Sequence, residues 1–88
     1  MIEEEIKIEN KNGLHARPAN MLTVTTKKFK SQIFISKDGY EVNGKSILGV
    51  MTLAAEPGSV IKVRIEGEDE QEAMEAIKEL IRNKFHEE

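Results

Sequence analysis

His15 and Arg17 stand either side of Ala16 in the stretch NGLHARPAN, between Gly13 and Pro18. An imidazole can be neutral at about pH 7 and then presents a nucleophilic nitrogen. A guanidinium beside it adds a fixed positive charge and a donor fork that matches phosphate oxygens. If His15 is the N-cap of a helix, then Ala16, Arg17 and Pro18 form its first turn. The N–H groups of that turn have no partner inside the helix, so proline loses nothing there. The N–H groups of Ala16 and Arg17, together with the positive end of the helix dipole, favour an anion. The chemistry this spacing allows is a phosphoryl group seated for a time on a histidine nitrogen. Gly13 would let the preceding loop follow a backbone path closed to other residues. A plain polar cap next to a solvated charge fits the same letters, so His-x-Arg alone does not decide.

A second segment adds to it. In VNGKSILGVMTL, Ser46 reads as the N-cap of a short helix, with Lys45 beside it. A phosphate on Ser46 would also meet backbone N–H groups, although by spacing alone Ser46 is an ordinary cap. On the first helix, Arg17, Asn20, Met21, Val24 and Lys28 share about one third of the circumference, opposite the core stripe. Met21 and Val24 are therefore expected to be exposed. Ile47, Leu48, Val50 and Met51 surround the short helix, so they cannot all face one sheet. Exposed apolar residues bordered by Arg17, Lys27 and Lys28 have the make-up of a docking surface.

The elements that must hold these residues can be read from periodicity. Ile2, Ile6 and Ile8 alternate with charged residues, giving a half-buried strand over 2–8. Residues 16–28 fit a helix whose inner side carries Pro18, Leu22, Thr25, Thr26 and Phe29. QIFIS and YEV flank KDG, and Asp-Gly between apolar runs predicts a hairpin. VIKVRIE is another one-sided strand. Asp69, with Glu72 after it, predicts a capping box opening a long helix. Its inner stripe is Ala73, Ala76, Ile77, Leu80, Ile81 and Phe85, and Lys78, Arg82 and Lys84 suit its C-terminal dipole. The order β-α-β-β-α-β-α gives an α+β two-layer open sandwich, a single domain over residues 1–88.

Composition narrows the function. The chain of 88 residues has a net charge of −3 and no cysteine. Thiolate metal sites and thiol nucleophiles are excluded, and His15 and His86 are too far apart in sequence to suggest a metal centre. No cofactor is called for. His86 reads as a solvated tail residue. Net acidity speaks against general nucleic-acid binding, while the basic Arg17–Lys30 region beside a Glu-rich C-terminal third suits an acidic protein partner. The N-terminus lacks signal-peptide features and no apolar run approaches the ~20 residues of a membrane helix, so a cytoplasmic location is expected. No second carboxylate or hydroxyl completes a catalytic set around His15, and so small a domain has little room for a deep pocket. A carrier is expected rather than an autonomous enzyme.

GLHARPA followed about thirty residues later by VNGKSILGVMTL resembles the histidine phosphocarrier family, HPr, of the bacterial phosphoenolpyruvate-dependent sugar phosphotransferase system. The resemblance spans essentially the whole chain. It implies an open-faced β-sandwich, with an antiparallel sheet in the order 1-4-2-3 and three helices on one face. It implies that His15 accepts a phosphoryl group on Nδ1 from phospho-enzyme I and passes it to sugar-specific IIA components, with Arg17 assisting. Ser46 matches a regulatory site modified by an ATP-dependent HPr kinase/phosphorylase and read by a catabolite-control transcription factor. The implied partner face comprises Asn20, Met21, Val24, Lys27, Ile47, Leu48, Gly49 and Met51, on a monomer. Asn20 stands where threonine is frequent and Val24 where a long polar residue is frequent. Gly44 and LAAEPG resemble versions outside the Gram-positive sugar system, including a nitrogen-related paralogue. These departures bear on which partners are met and leave His15 intact.

Overall fold

Alternating isoleucines and valines set the sheet. The computed structural model describes residues 1–86. In chain order it runs β1 (Ile2–Lys7), α1 (Ala16–Thr26), β2 (Gln32–Lys37), β3 (Tyr40–Asn43), α2 (Ile47–Thr52), β4 (Val60–Glu66) and α3 (Glu70–Arg82), closed by a 3-10 turn at Lys84–His86. The strands lie in the order β1-β4-β2-β3 and every pair is antiparallel. Register places Ile2 and Ile33 on either side of Ile65, and Ile35 between Val63 and Val42. Because side chains alternate along a strand, these two rows carry the apolar residues to the same face. The helices cover it: Ile33, Ile35, Ile61, Val63 and Ile65 are buried together with Ala19, Leu22, Val50, Ala73, Met74 and Ile77. Burying each large aliphatic chain stabilises the fold by roughly 1.5–3 kcal/mol. The architecture is the expected α+β open sandwich, in the expected strand order.

The uncovered face stays polar by pairing. Arg64 lies over the Phe34 ring at 4.4 Å and ion-pairs with Glu41 at 2.9 Å. The hairpin turn is Asp38-Gly39, both at positive φ, as a two-residue Asp-Gly loop requires.

Several expectations need correction. The capping box at Asp69 is absent. Asp69 is the N-cap residue of α3, but its side chain makes no cap hydrogen bond. Its carboxylate instead accepts the backbone N–H groups of Lys30 and Ser31, at 2.8 and 2.9 Å, and the Ser31 hydroxyl. The first-turn carboxylate that reaches back is Glu70, which accepts the Gly67 N–H at 3.1 Å. The long-range demand of the α1–β2 junction has outcompeted the local cap. On α1 the buried face is Pro18, Ala19, Leu22, Thr23 and Thr26, so Thr25 yields its place to Ala19 and Thr23, and Phe29 is only half-buried. The helix ends at Thr26 with Lys27 as its cap rather than at 28. On α3, Met74 is buried, while Ala76 and Leu80 are half-buried. Lys78 pairs with Glu4 of β1 at 3.0 Å rather than merely facing the helix dipole. β1 ends at Lys7, although Ile8 beyond it is fully buried.

Two loops meet where α1 begins. Ile8 donates to the Ser59 carbonyl at 2.8 Å and Gly58 donates to the Ile8 carbonyl at 2.7 Å. Leu14 donates to the Ala55 carbonyl at 2.9 Å. The segment before His15 is thereby tied to the loop between α2 and β4.

Candidate functional site

The loop before α1 is held from within as well as from its neighbour. Asn10 is fully buried, and its side-chain amide donates to the Gly13 carbonyl at 2.8 Å. Gly13 lies at φ +67°, and a Cβ there would run into the Ala55 carbonyl. Leu14 is buried, which anchors the residue just ahead of the histidine. His15 then takes an extended N-cap conformation (φ −79°, ψ −170°), and its carbonyl receives the Ala19 N–H at 2.9 Å. Its side chain makes no cap hydrogen bond to the helix. His15, Ala16 and Arg17 are exposed, whereas Pro18 and Ala19 turn inward. The N–H groups of Ala16 and Arg17 belong to the first turn, at the positive end of an eleven-residue helix with no acidic residue in that turn. Among the described residues no carboxylate pairs with Arg17, so its guanidinium can answer an incoming anion.

α2 packs against α1. The Thr26 hydroxyl donates to the Gly44 carbonyl at 2.8 Å, and the Lys45 ammonium donates to the Phe29 carbonyl at 2.7 Å. Lys45, next to Ser46 in sequence, is therefore spent on the end of α1. Ser46 is the N-cap of α2, as expected, and its Oγ accepts the Gly49 N–H at 3.0 Å.

The exposure expected of Met21, Val24 and the residues of α2 holds in part. Val24 is 52% exposed, Leu48 73% and Met51 39%, and Asn20, Lys27 and Lys28 are exposed around them. Met21 and Ile47, expected in the open, are half-buried and pack against the core. Packing against the core draws them partly inward, a contact that a single helix wheel does not show. Gly49 is half-buried, and its N–H serves Ser46. Val50 alone of the four apolar residues on α2 is fully buried.

The sequence reading missed the far side of His15. A shallow hollow of about 300 Å³ lies there, with His15 and Ala16 on one rim. Leu14, Met51, Ala54, Ala55 and Pro57 supply its apolar lining, and Glu56 stands at its edge. Ala54 sits at φ +50°, a left-handed residue in the turn that follows α2. In the sequence this segment stood out only as LAAEPG, a departure from the commonest family pattern, which says nothing about what lies opposite. His86, the other histidine, is exposed in the closing 3-10 turn, where its N–H donates to the Asn83 carbonyl at 2.9 Å. Among the described residues no three His, Asp or Glu side chains come together as a metal site would need, and no helix is long and apolar enough to cross a membrane.

A family model described as the PTS HPr component phosphorylation site matches residues 2–83. The phosphocarrier protein HPr of Xylella fastidiosa is 54% identical over 87 residues, covering 99% of this chain and 98% of that protein. The HPr-like protein Crh of Halalkalibacterium halodurans is 51% identical over 77 residues, 88% of this chain and 92% of its own length. Among solved structures, HPr-C-His from Thermoanaerobacter tengcongensis superposes with a TM-score of 0.96 at 51% identity, covering 100% of this chain and 99% of that one.

Proposed function

The chain belongs to the HPr family of the bacterial phosphotransferase system, and from that premise we propose that His15 is the residue through which it carries phosphoryl groups. It is a phosphocarrier and not a catalytic enzyme. One observation carries the assignment to His15. The stretch that matches the phosphorylation-site family contains a single histidine, and that histidine is exposed at the N-cap of α1.

In the forward step, the bond from phosphorus to its donor on phospho-enzyme I breaks as a bond to His15 Nδ1 forms, with donor and acceptor roughly in line. The Nδ1 assignment follows the family pattern. Arg17 and the N–H groups of Ala16 and Arg17 face the charge that accumulates on the phosphoryl oxygens. In the second step the nitrogen–phosphorus bond breaks as a nucleophile of a IIA component takes the group. An open, convex site serves both steps, because two partners must reach the same nitrogen. Asn20, Met21, Val24, Lys27, Ile47, Leu48, Gly49 and Met51 form the face on which they dock, and the cytoplasm is where they would meet.

Incubation with phosphoenolpyruvate and enzyme I tests this. An acid-labile phosphate should appear on the wild-type chain and be absent from His15→Ala. Labelling of the His15→Ala chain would overturn the assignment.

A second reading concerns Ser46. It caps α2 immediately before Leu48 and Met51, so a phosphate there would place negative charge at the edge of the docking face. An ATP-dependent HPr kinase/phosphorylase would add it, and a catabolite-control transcription factor would read it. An acid-stable phosphate formed from ATP and a cognate kinase, and lost in Ser46→Ala, tests this reading. Unchanged affinity of Ser46→Asp for enzyme I would count against a regulatory role.

A further inference from the structure

The hollow beside His15 is mostly apolar, with Asn12 and His15 as polar residues on its lining. Leu14, Ala16, Met51, Ala54, Ala55 and Pro57 line it, and the one acidic group among its lining residues is Glu56. We infer that Glu56 is a specificity-determining residue for phosphoryl exchange. It favours a protein partner that sets an apolar side chain into the hollow with a lysine or arginine against the carboxylate. This rests on the carrier reading of His15.

Three observations lead there. First, position: the hollow shares His15 and Ala16 with the phosphoryl site, so a partner whose active site reaches His15 covers it. Second, charge: neither α1 nor α2 contains an acidic residue, and Arg17, Lys27 and Lys28 are all exposed. A partner complementary to those cations alone presents acidic groups, and such groups brought over the hollow would meet Glu56 as a like charge. Glu56 is itself exposed, and among the described residues no cation pairs with it. Closing a surface over an unpaired carboxylate removes its water, so the partner has to supply a cation there or lose affinity. Third, rigidity: the Glu56 carbonyl accepts the Ser59 N–H at 3.0 Å and the Ser59 hydroxyl, and the neighbouring Ala55 carbonyl holds Leu14. The backbone that carries the carboxylate is fixed relative to the loop that carries His15. Selection here combines attraction to one partner with repulsion of others.

The test measures phosphoryl transfer from enzyme I and phosphoenolpyruvate to the wild-type chain, Glu56→Gln and Glu56→Lys at several concentrations of carrier. Glu56→Lys should raise KM by about tenfold or more and Glu56→Gln by less, with the loss falling on KM rather than kcat. The penalty of Glu56→Lys should shrink as salt is added, which a merely structural defect would not do. An unchanged or lower KM for Glu56→Lys would overturn the inference. Should Glu56→Lys fail to fold, the Glu56→Gln chain decides alone: a KM equal to wild type overturns it. A wild-type chain that takes no phosphate at all would overturn the carrier reading, and this inference with it.

Discussion

The Leu14 N–H reaches the Ala55 carbonyl oxygen at 2.9 Å, and that same oxygen occupies the space a Cβ on Gly13 would need. One carbonyl thus fixes the residue before His15 and forbids a side chain on the residue before that. Gly13→Ala must adopt the left-handed backbone and also displace the Ala55 carbonyl, and should cost about 2–4 kcal/mol. Gly39 is also left-handed, at φ +84°, but a Cβ there meets nothing within 4 Å. Gly39→Ala should cost only about 1 kcal/mol, from backbone conformation alone. Urea unfolding of the two variants separates close approach from conformation, and equal losses would contradict the close approach. Phosphorylation of His15 should slow in Gly13→Ala and stay at the wild-type rate in Gly39→Ala.

Asp69 gives a pH dependence. Hydrogen bonds from the Ser31 side chain and the Lys30 backbone N–H hold its carboxyl below the usual carboxylate range. A depressed folded-state pKa means the native chain keeps the charged form to lower pH than the unfolded chain. The resulting stability is present above the unfolded-state pKa and is lost as pH falls through the folded-state value. Thermal unfolding from about pH 7 down to about pH 2 should show wild type more stable than Asp69→Asn at neutral pH, with the gap closing at the acid end. A gap that persists undiminished to the lowest pH would mean that the charged form is not what Lys30 and Ser31 hold.

Much of the architecture was legible because one-sided strands and helices advertise themselves. The Ile61-Val63-Ile65 alternation, the Asp38-Gly39 turn and the caps at His15 and Ser46 each depend on neighbours close in sequence. Asp69 was misread for the complementary reason. Asp followed by Glu three residues later satisfies a local rule, while the partners that claimed the carboxylate lie far back at Lys30 and Ser31. Met21 and Ile47 are likewise drawn half inward by packing against the core, which neither helix announces alone. The hollow formed by Leu14, Met51 and Ala54–Pro57 needs three separate segments, so nothing local marked it. The exposed placing of His15 and Arg17 at a helix start was legible because it depends on a few consecutive residues.

Leu48 and Val50 separate docking from stability on one short helix. Leu48 is 73% exposed and Val50 is fully buried. Leu48→Ser should change folding stability by no more than about 0.5 kcal/mol, whereas Val50→Ala should cost about 2 kcal/mol. The order reverses in transfer. Leu48→Ser should raise KM with enzyme I by roughly tenfold, as the loss of a central apolar contact does, and Val50→Ala should leave KM near wild type while the chain remains folded. Denaturant titration and steady-state transfer on the same preparations check both. A Leu48→Ser chain with wild-type KM would remove Leu48 from the docking face.

Charge is unevenly spread between α1 with its following turn and the outer side of α3, and that gives the last expectation. Arg17 on α1 and Lys27 and Lys28 just past its end are exposed, while Glu68 and, on the outer side of α3, Glu72, Glu75 and Glu79 are exposed. Such a separation orients an approaching acidic partner toward the α1 side before any contact forms. The effect acts on association and is screened beyond about 8 Å at physiological ionic strength. The second-order rate of phosphoryl transfer from enzyme I should therefore fall as salt rises, with little change in the rate within the bound complex. Lys27→Glu should lower the association rate and flatten its salt dependence, whereas Glu75→Gln, on the outer side of α3, should leave both near wild type. Stopped-flow or rapid-quench transfer across a salt series distinguishes these outcomes. A rate independent of salt would mean that apolar contact at Val24, Leu48 and Met51 guides the encounter without help from charge.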